Sequence, residues 1–296
     1  MTLPAQTDTA PAVPALRAAL WMLGAIGCFL TMAVAGRVLA AELDTFEIMT
    51  WRSLTGVVII CLVITARSAW GQVSTHRFGL HVLRNVAHFT GQNLWFYAIT
   101  VIPLAQVFAL EFTSPLWVLM LSPLLLGERM TRRRMLSGLV GFAGILLITR
   151  PGAQALSPGL IAAALCAIGF AGTIMSTKRL TRDVSTMNIL FWLTVMQAVF
   201  GLVCGGIDGD FAHPSAALWP AAVLVGVAGL AAHFCVTTAL SIAPASIVAP
   251  MDFLRLPAAA VLGLLVYGEA LDPLVLIGAA VIFGANYANI RGERRA

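Results

Sequence analysis

Charge is what this sequence has least of. Asp, Glu, Lys and Arg make up only 10% of its 296 residues, where a soluble globular domain carries roughly a quarter. The chain is 59% hydrophobic with a mean hydropathy of +0.91, so it has too little polar surface to cover a water-soluble fold. Recognisable catalytic signatures are missing as well. There is no HExxH, GxSxG or CxxC, no phosphate-binding GxxxxGK loop, and no GxGxxG after a strand. These gaps remove the support for an ATP-driven pump and for the common intramembrane hydrolases; neither an enzyme activity nor a cofactor is expected. Cysteine is sparse. Cys28, Cys61, Cys166, Cys204 and Cys235 show no short paired spacing, which excludes a disulfide framework or a zinc site and leaves them as small apolar fillers. The first residues lack the basic segment of a signal peptide; residues 1–16 read as a disordered cytoplasmic tail.

What is present is long apolar stretches. A membrane-spanning helix needs about 20 mostly apolar residues, and ten such stretches lie near 17–38, 45–65, 80–101, 103–126, 133–150, 158–177, 187–205, 219–240, 245–267 and 272–290. The expected class is an all-α membrane protein whose first partner is the lipid bilayer. Basic residues outnumber acidic ones 18 to 13, but they sit in the breaks between stretches and not on a soluble face, so nucleic acid is not an expected partner. With the N-terminus inside, Arg129, Arg132, Arg133, Arg134, Lys178, Arg179, Arg182, Arg291, Arg294 and Arg295 all fall on the inner side, against Arg37 and Arg150 outside. The positive-inside rule then places both termini in the cytoplasm.

The sequence also repeats itself. Sliding it by 141 positions lays Pro103 on Pro244, Glu111 on Asp252, Phe112 on Phe253, Gly127-Glu128 on Gly268-Glu269, Trp51 on Trp192 and Leu39 on Leu180. Five helices per copy is an odd number, so residues 157–290 must enter the membrane from the side opposite to residues 17–150. Two inverted repeats about a pseudo-twofold axis in the membrane plane are a transporter design, because the halves can exchange conformations around a central site.

Candidate site residues follow from polarity inside these stretches. Arg84, His88, Gln92 and Trp95 fall on one face of the third helix, a face unsuited to lipid, with Tyr97 further along. Either interhelical hydrogen bonds or a water-filled cavity accounts for it. Glu111 lies eight residues after Pro103, and Asp252 eight after Pro244. At 1.5 Å per residue each is about 12 Å deep from opposite ends, near the midplane, where inverted-repeat transporters hold substrate. Arg255 follows Asp252 at i+3 and suits either that carboxylate or an anionic substrate group. Glu111 has no basic residue within a turn; it is expected to be protonated, or paired with Arg52 or a third-helix residue. Arg52 either reaches Glu47 or faces the cavity, and His233 occupies the position of Gln92 in the second copy. The prolines Pro115, Pro123, Pro250 and Pro257 interrupt the fourth and ninth helices. The glycines of the fifth and tenth helices suit close packing within a monomer or a homodimer contact. No metal ligand set is read.

The segments FEIMTWRSL (46–54), FYAITVIPLAQVFALEFTSPLWVLMLSPLLLGER (96–129), RRR (132–134) and GFAGILLITRPG (141–152) resemble the EamA domain of the drug/metabolite transporter superfamily, and residues 158–290 resemble a second copy. The resemblance implies a ten-helix inverted-repeat carrier of the bacterial inner membrane. Its central cavity would be lined by the third, fourth, eighth and ninth helices, and it would move small organic metabolites. With no energy-coupling domain in the sequence, the reading is gradient-driven transport of a small polar or zwitterionic metabolite, with export the expected direction. The alternative is a non-transporting membrane protein such as a lipid scramblase or scaffold. The Glu-containing FTSPL helix and the Arg-containing second helix are more similar to the branch associated with S-adenosylmethionine, riboflavin and opine-type metallophores than to aromatic amino-acid exporters.

Overall fold

The structure is a computed structural model that describes residues 12–126, 131–150, 156–207, 209–242 and 251–293. Eleven α-helices are present among them: α1 (Ala12–Leu39), α2 (Thr45–Ala66), α3 (Phe78–Val101), α4 (Leu104–Glu111), α5 (Ser114–Leu126), α6 (Arg132–Thr149), α7 (Pro158–Leu180), α8 (Thr186–Gly205), α9 (Trp219–Ile242), α10 (Arg255–Tyr267) and α11 (Pro273–Glu293). A 3₁₀ turn at Trp70–Gln72 precedes α3. The first helix begins at Ala12, inside the segment expected to be a tail; residues 1–11 lie outside the described residues, as do Pro250 and the Gly127-Glu128 pair.

Local chemistry sets several helix starts. Asp44 accepts from the Glu47 N–H while the Glu47 side chain accepts from the Asp44 N–H, both at 2.8 Å, a capping box that opens α2. Ser157 caps α7, with Pro158 as its first residue, and Ser185 caps α8. Asp44 and Ser185 occupy matching positions in the two copies.

Burial is inverted relative to a soluble protein. Leu20, Leu62, Val203 and Leu265 are 60% to 77% exposed, while Thr50, His81, Asn85, Asn188 and Gln197 are fully buried. A bilayer removes the cost of the first group and imposes one on any outward polar side chain. Among the described residues, six helical segments are long and apolar enough to cross a membrane: Leu16–Leu39, Thr45–Ala66, Leu104–Leu121, Pro158–Leu180, Thr186–Gly205 and Trp219–Val236. Met135–Thr149, Arg255–Tyr267 and Pro273–Ala288 are apolar but shorter. The polar residues of α3 keep it out of this group.

Helix pairing respects the duplication. A shift of 141 carries α1 onto α7, α2 onto α8, α3 onto α9 and α6 onto α11. The main packing pairs are α1 with α9, α3 with α7, α2 with α8, and α6 with α11, and exchanging the copies turns the first two into each other and the last two into themselves. Helices α2 and α8 run antiparallel: Glu47 lies beside Gly205, Thr50 beside Gly201 and Gly56 beside Thr194. Trp51 donates to the Ala212 carbonyl beyond the end of α8 (3.3 Å), and its counterpart Trp192 donates to the Ser74 carbonyl beyond the end of α2 (2.8 Å). One tryptophan thus latches each end of the bundle to the other copy. The glycines expected to allow close contact do so within the chain: a Cβ on Gly144 would sit 2.8 Å from the Gly278 carbonyl, and the reverse holds equally.

The fourth span differs from its expectation as one kinked helix. It is two helices, α4 and α5, broken at Phe112–Thr113. Pro115 has no N–H to give the Glu111 carbonyl, so that carbonyl accepts from the Ser114 hydroxyl instead (2.6 Å), and the Thr113 hydroxyl turns back to Leu110 (2.7 Å). In the second copy Met251 and Asp252 are helical, Phe253 and Leu254 turn, and α10 begins at Arg255. Pro257 there leaves the Phe253 carbonyl to the Leu256 N–H (3.1 Å). Both copies therefore break immediately after their carboxylate.

Candidate functional site

A cavity of about 220 Å³ lies where the two breaks meet. Its walls come in pairs related by the same shift of 141: Phe29 with Phe170, Gln92 with His233, Glu111 with Asp252, and Ser114 with Arg255. Phe112 of one copy stacks on Phe253 of the other, with ring centroids 4.5 Å apart and planes at 20°. A residue that packs against its own repeat counterpart lies on the axis relating the copies, so the cavity sits on that axis.

The charged centre is a bridge across the copies. Arg255 Nη2 donates to Glu111 Oε1 at 3.0 Å and to Asp252 Oδ2 at 3.2 Å. Glu111 Oε2 accepts from Trp95 Nε1 at 2.9 Å. The Arg255 guanidinium also lies over the rings of Phe29, Phe112 and Phe108, at 4.5, 4.9 and 5.1 Å from their centroids. Arginine suits this position because a flat guanidinium can accept aromatic faces while its edge serves carboxylates. The side chains of Arg255 and Glu111 are only 5% and 13% exposed, while that of Asp252 is 28% exposed. Asp252 is therefore the acid more open to a guest.

Of the residues singled out from sequence, His88, Gln92, Trp95, Glu111, His233, Asp252 and Arg255 line this cavity. His88 and His233 face each other at 5.9 Å between ring centroids. The other three lie elsewhere. Tyr97 is 40% exposed and points away. Arg84 is buried against α7, donating from Nε to the Thr177 hydroxyl at 2.8 Å. Arg52 borders a separate, smaller cavity that shares only His233 with the central one. Of the partners expected for Glu111, the third-helix residue is present as Trp95 and Arg52 is not, the cation being Arg255 of the other copy. Arg52 does not reach Glu47, which is occupied by the capping box and by the Ala212 N–H.

Reading the sequence for polarity missed Phe29, Phe112 and Phe170. The signal that finds them is the repeat itself, since Phe29 and Phe170 match under the shift as Phe112 and Phe253 do. Among the described residues no group of His, Cys, Asp and Glu gathers to hold a metal ion. The arrangement provides a flat aromatic lining and two carboxyls sharing one guanidinium. It can hold an amine or a ring, or take up a proton on a carboxyl.

Fold and site together define a multi-pass membrane protein built from two copies of one helical unit around a shared internal cavity. The sequence profile of the EamA-like transporter family matches residues 16–150 and again residues 157–290, and the chain belongs to that family. It is 33% identical to a riboflavin transporter of Brucella anthropi, over 79% of this chain and 86% of that protein. It is 25% identical to an S-adenosylmethionine uptake transporter of Rickettsia bellii over 89% of each. With a pseudopaline exporter of Pseudomonas aeruginosa it shares 28% identity over 86% of this chain and 89% of that one. These names include both uptake and export. A solved crystal structure with 21% identity superposes at a TM-score of 0.64, covering 94% of this chain and 98% of the other, which shows the fold.

Proposed function

We propose that this protein is a gradient-driven secondary transporter of the bacterial inner membrane. It crosses the bilayer ten times as two inverted five-helix repeats, residues 17–150 and 157–290, with both termini in the cytoplasm, and moves a small polar or zwitterionic metabolite carrying a flat ring. The observation that carries this reading is the Glu111–Arg255–Asp252 bridge at the junction of the two broken helices. An ion bridge spanning both copies on the axis between them is where alternating access would exchange one half's geometry for the other's. One guanidinium shared by two carboxyls leaves room for a cationic group beside Asp252, and Phe29, Phe112, Phe170 and Trp95 offer faces to a ring. Riboflavin, S-adenosylmethionine and pseudopaline, named for the relatives, are all small and polar, and the first two carry flat heteroaromatic rings.

The test is flux into proteoliposomes containing the full chain. The expected result is saturable uptake of a ring-bearing zwitterion whose pH dependence is lost in Glu111→Gln. Scrambling of a fluorescent lipid without saturable solute flux would replace the transporter reading with a lipid-scramblase one. Single-cysteine labelling of loops 66–79 and 206–218 checks the topology: the two loops must react from opposite sides.

A further inference from the structure

The second cavity carries a different chemistry. Arg52 is buried to 7% exposure about 10 Å into α2 at 1.5 Å per residue, yet forms no ion pair among the described residues. Its Nη1 meets only the Met49 sulfur, at 4.0 Å, and its Nε has no hydrogen-bond partner. The Ser53 hydroxyl beside it, itself buried to 3%, also lacks a partner. Glycine makes the room: a Cβ on Gly229 would lie 2.9 Å from Arg52 Nε and 3.0 Å from Nη2, and Gly56 and Gly226 line the same space. The cavity, closed by Leu193, Thr194, Gln197 and His233, has a free volume of about 20 Å³. That is enough for one atom-sized guest and far below the 220 Å³ of the central cavity.

A second buried cation reinforces the field. Among the described residues Arg84, 4% exposed, is bound only to the Thr177 hydroxyl, and its Nη1 has no partner. Neither deep carboxylate forms an ion pair with Arg52 or Arg84 among the described residues; both are bonded to Arg255. A guanidinium keeps its charge, and leaving it unpaired in a membrane interior is costly. Water can solvate it but brings no opposite charge.

We propose that the Arg52 cavity is an anion site that holds one monatomic halide, chloride in the cell, between the Arg52 guanidinium and the Ser53 hydroxyl. The halide is the counter-ion that the described side chains do not supply to Arg52. Because His233 walls both cavities, occupancy here sets the charge seen from the central site. The site is separate from the metabolite cavity and does not depend on what that cavity carries.

The experiment is a melting titration of the purified full-length protein in detergent, at constant ionic strength, with chloride or bromide exchanged for gluconate. Expected is a saturable rise of melting temperature with either halide and none with gluconate. Arg52→Met abolishes the rise and Ser53→Ala weakens halide affinity several-fold, while Arg77→Met, which removes a surface pair with Asp183, keeps it. Should Arg52→Met not fold, Ser53→Ala and bromide crystals carry the test. Crystals grown in bromide should show one anomalous peak beside Arg52. Identical melting in halide and gluconate would mean that the cavity holds water only, and a full halide response in Ser53→Ala with no anomalous peak beside Arg52 would place the halide elsewhere; either result overturns the proposal.

Discussion

The two broken helices are one design written twice, and they differ at one decisive position. In the first copy Glu111 is followed by Phe112, Thr113 and Ser114; in the second, Asp252 is followed by Phe253, Leu254 and Arg255. Ser114 and Arg255 occupy equivalent places. The serine uses its hydroxyl locally, closing the carbonyl that Pro115 leaves open. The arginine reaches outward instead, across the axis to Glu111 and back to Asp252. A symmetric frame thus acquires a single asymmetric cation. Two carboxyls in the same space would repel each other if both were ionised; one guanidinium between them removes that conflict and ties the copies together.

The strongest way to break the comparison is to remove the cation. Arg255→Met takes the counter-charge from both carboxyls, leaving Glu111 buried with only its Trp95 hydrogen bond and Asp252 partly exposed, and loss of one member of a buried pair costs about 3–5 kcal/mol. The expected outcome is a steep fall in monodisperse yield and melting temperature. Adding Glu111→Gln to that background should recover much of the yield, because it removes the carboxyl left most buried. No recovery in the double variant would show that the aromatic contacts of Arg255 matter more than its charges.

Neutralising the acids one at a time sharpens the same comparison. Glu111→Gln keeps the Trp95 hydrogen bond and leaves Arg255 with Asp252, so folding should hold while transport loses its dependence on pH between about pH 5.5 and about pH 8. Normal pH-dependent flux in this variant would make Glu111 a structural acid. From sequence, Asp252→Asn is expected to strand Arg255 and lower yield. The structure reverses this, since Glu111 holds Arg255 at the shorter distance and Asp252 is the more exposed acid. Asp252→Asn should now leave yield near normal and raise the KM for a cationic substrate about tenfold, the scale of one charge-assisted contact of about 1.4 kcal/mol.

Smaller effects belong to the helix ends. Ser114→Ala strands the Glu111 carbonyl and should cost about 1 kcal/mol, visible as a lower melting temperature with the Arg255 bridge intact. Asp272, at the start of α11, contributes least. Burial pushes its carboxyl pKa up, but hydrogen bonds from Arg150 and from the Leu274 and Val275 N–H groups outweigh that and hold it below the ordinary value. Its contribution is therefore present above the unfolded carboxyl pKa of about 4 and is lost only as pH falls through the lower folded value. Both partners are about a third exposed, so Asp272→Asn should cost no more than about 1 kcal/mol. Melting curves of wild type and variant should differ by the same small margin from about pH 5.5 to about pH 8 and converge in stronger acid.

Much of this protein was legible in its residues. The apolar stretches, the shift of 141, and the choice of Glu111, Asp252 and Arg255 as charges set in apolar surroundings follow from composition and spacing, because a bilayer tolerates polar side chains only where they are enclosed and a duplication leaves matching residues at a constant offset. The break after each carboxylate was half legible, since Pro115 announces a lost hydrogen bond but not where the chain turns. Partners were not legible at all. Arg255 bonding to Glu111, and Arg52 settling against Gly229 and away from Glu47, depend on which helices meet and at what height. Helical spacing limits only the neighbours three or four residues away, whereas these contacts join residues more than a hundred positions apart. Only the packing of one copy against the other, α1 on α9 and α3 on α7, decides which buried charge finds an opposite and which is left needing one.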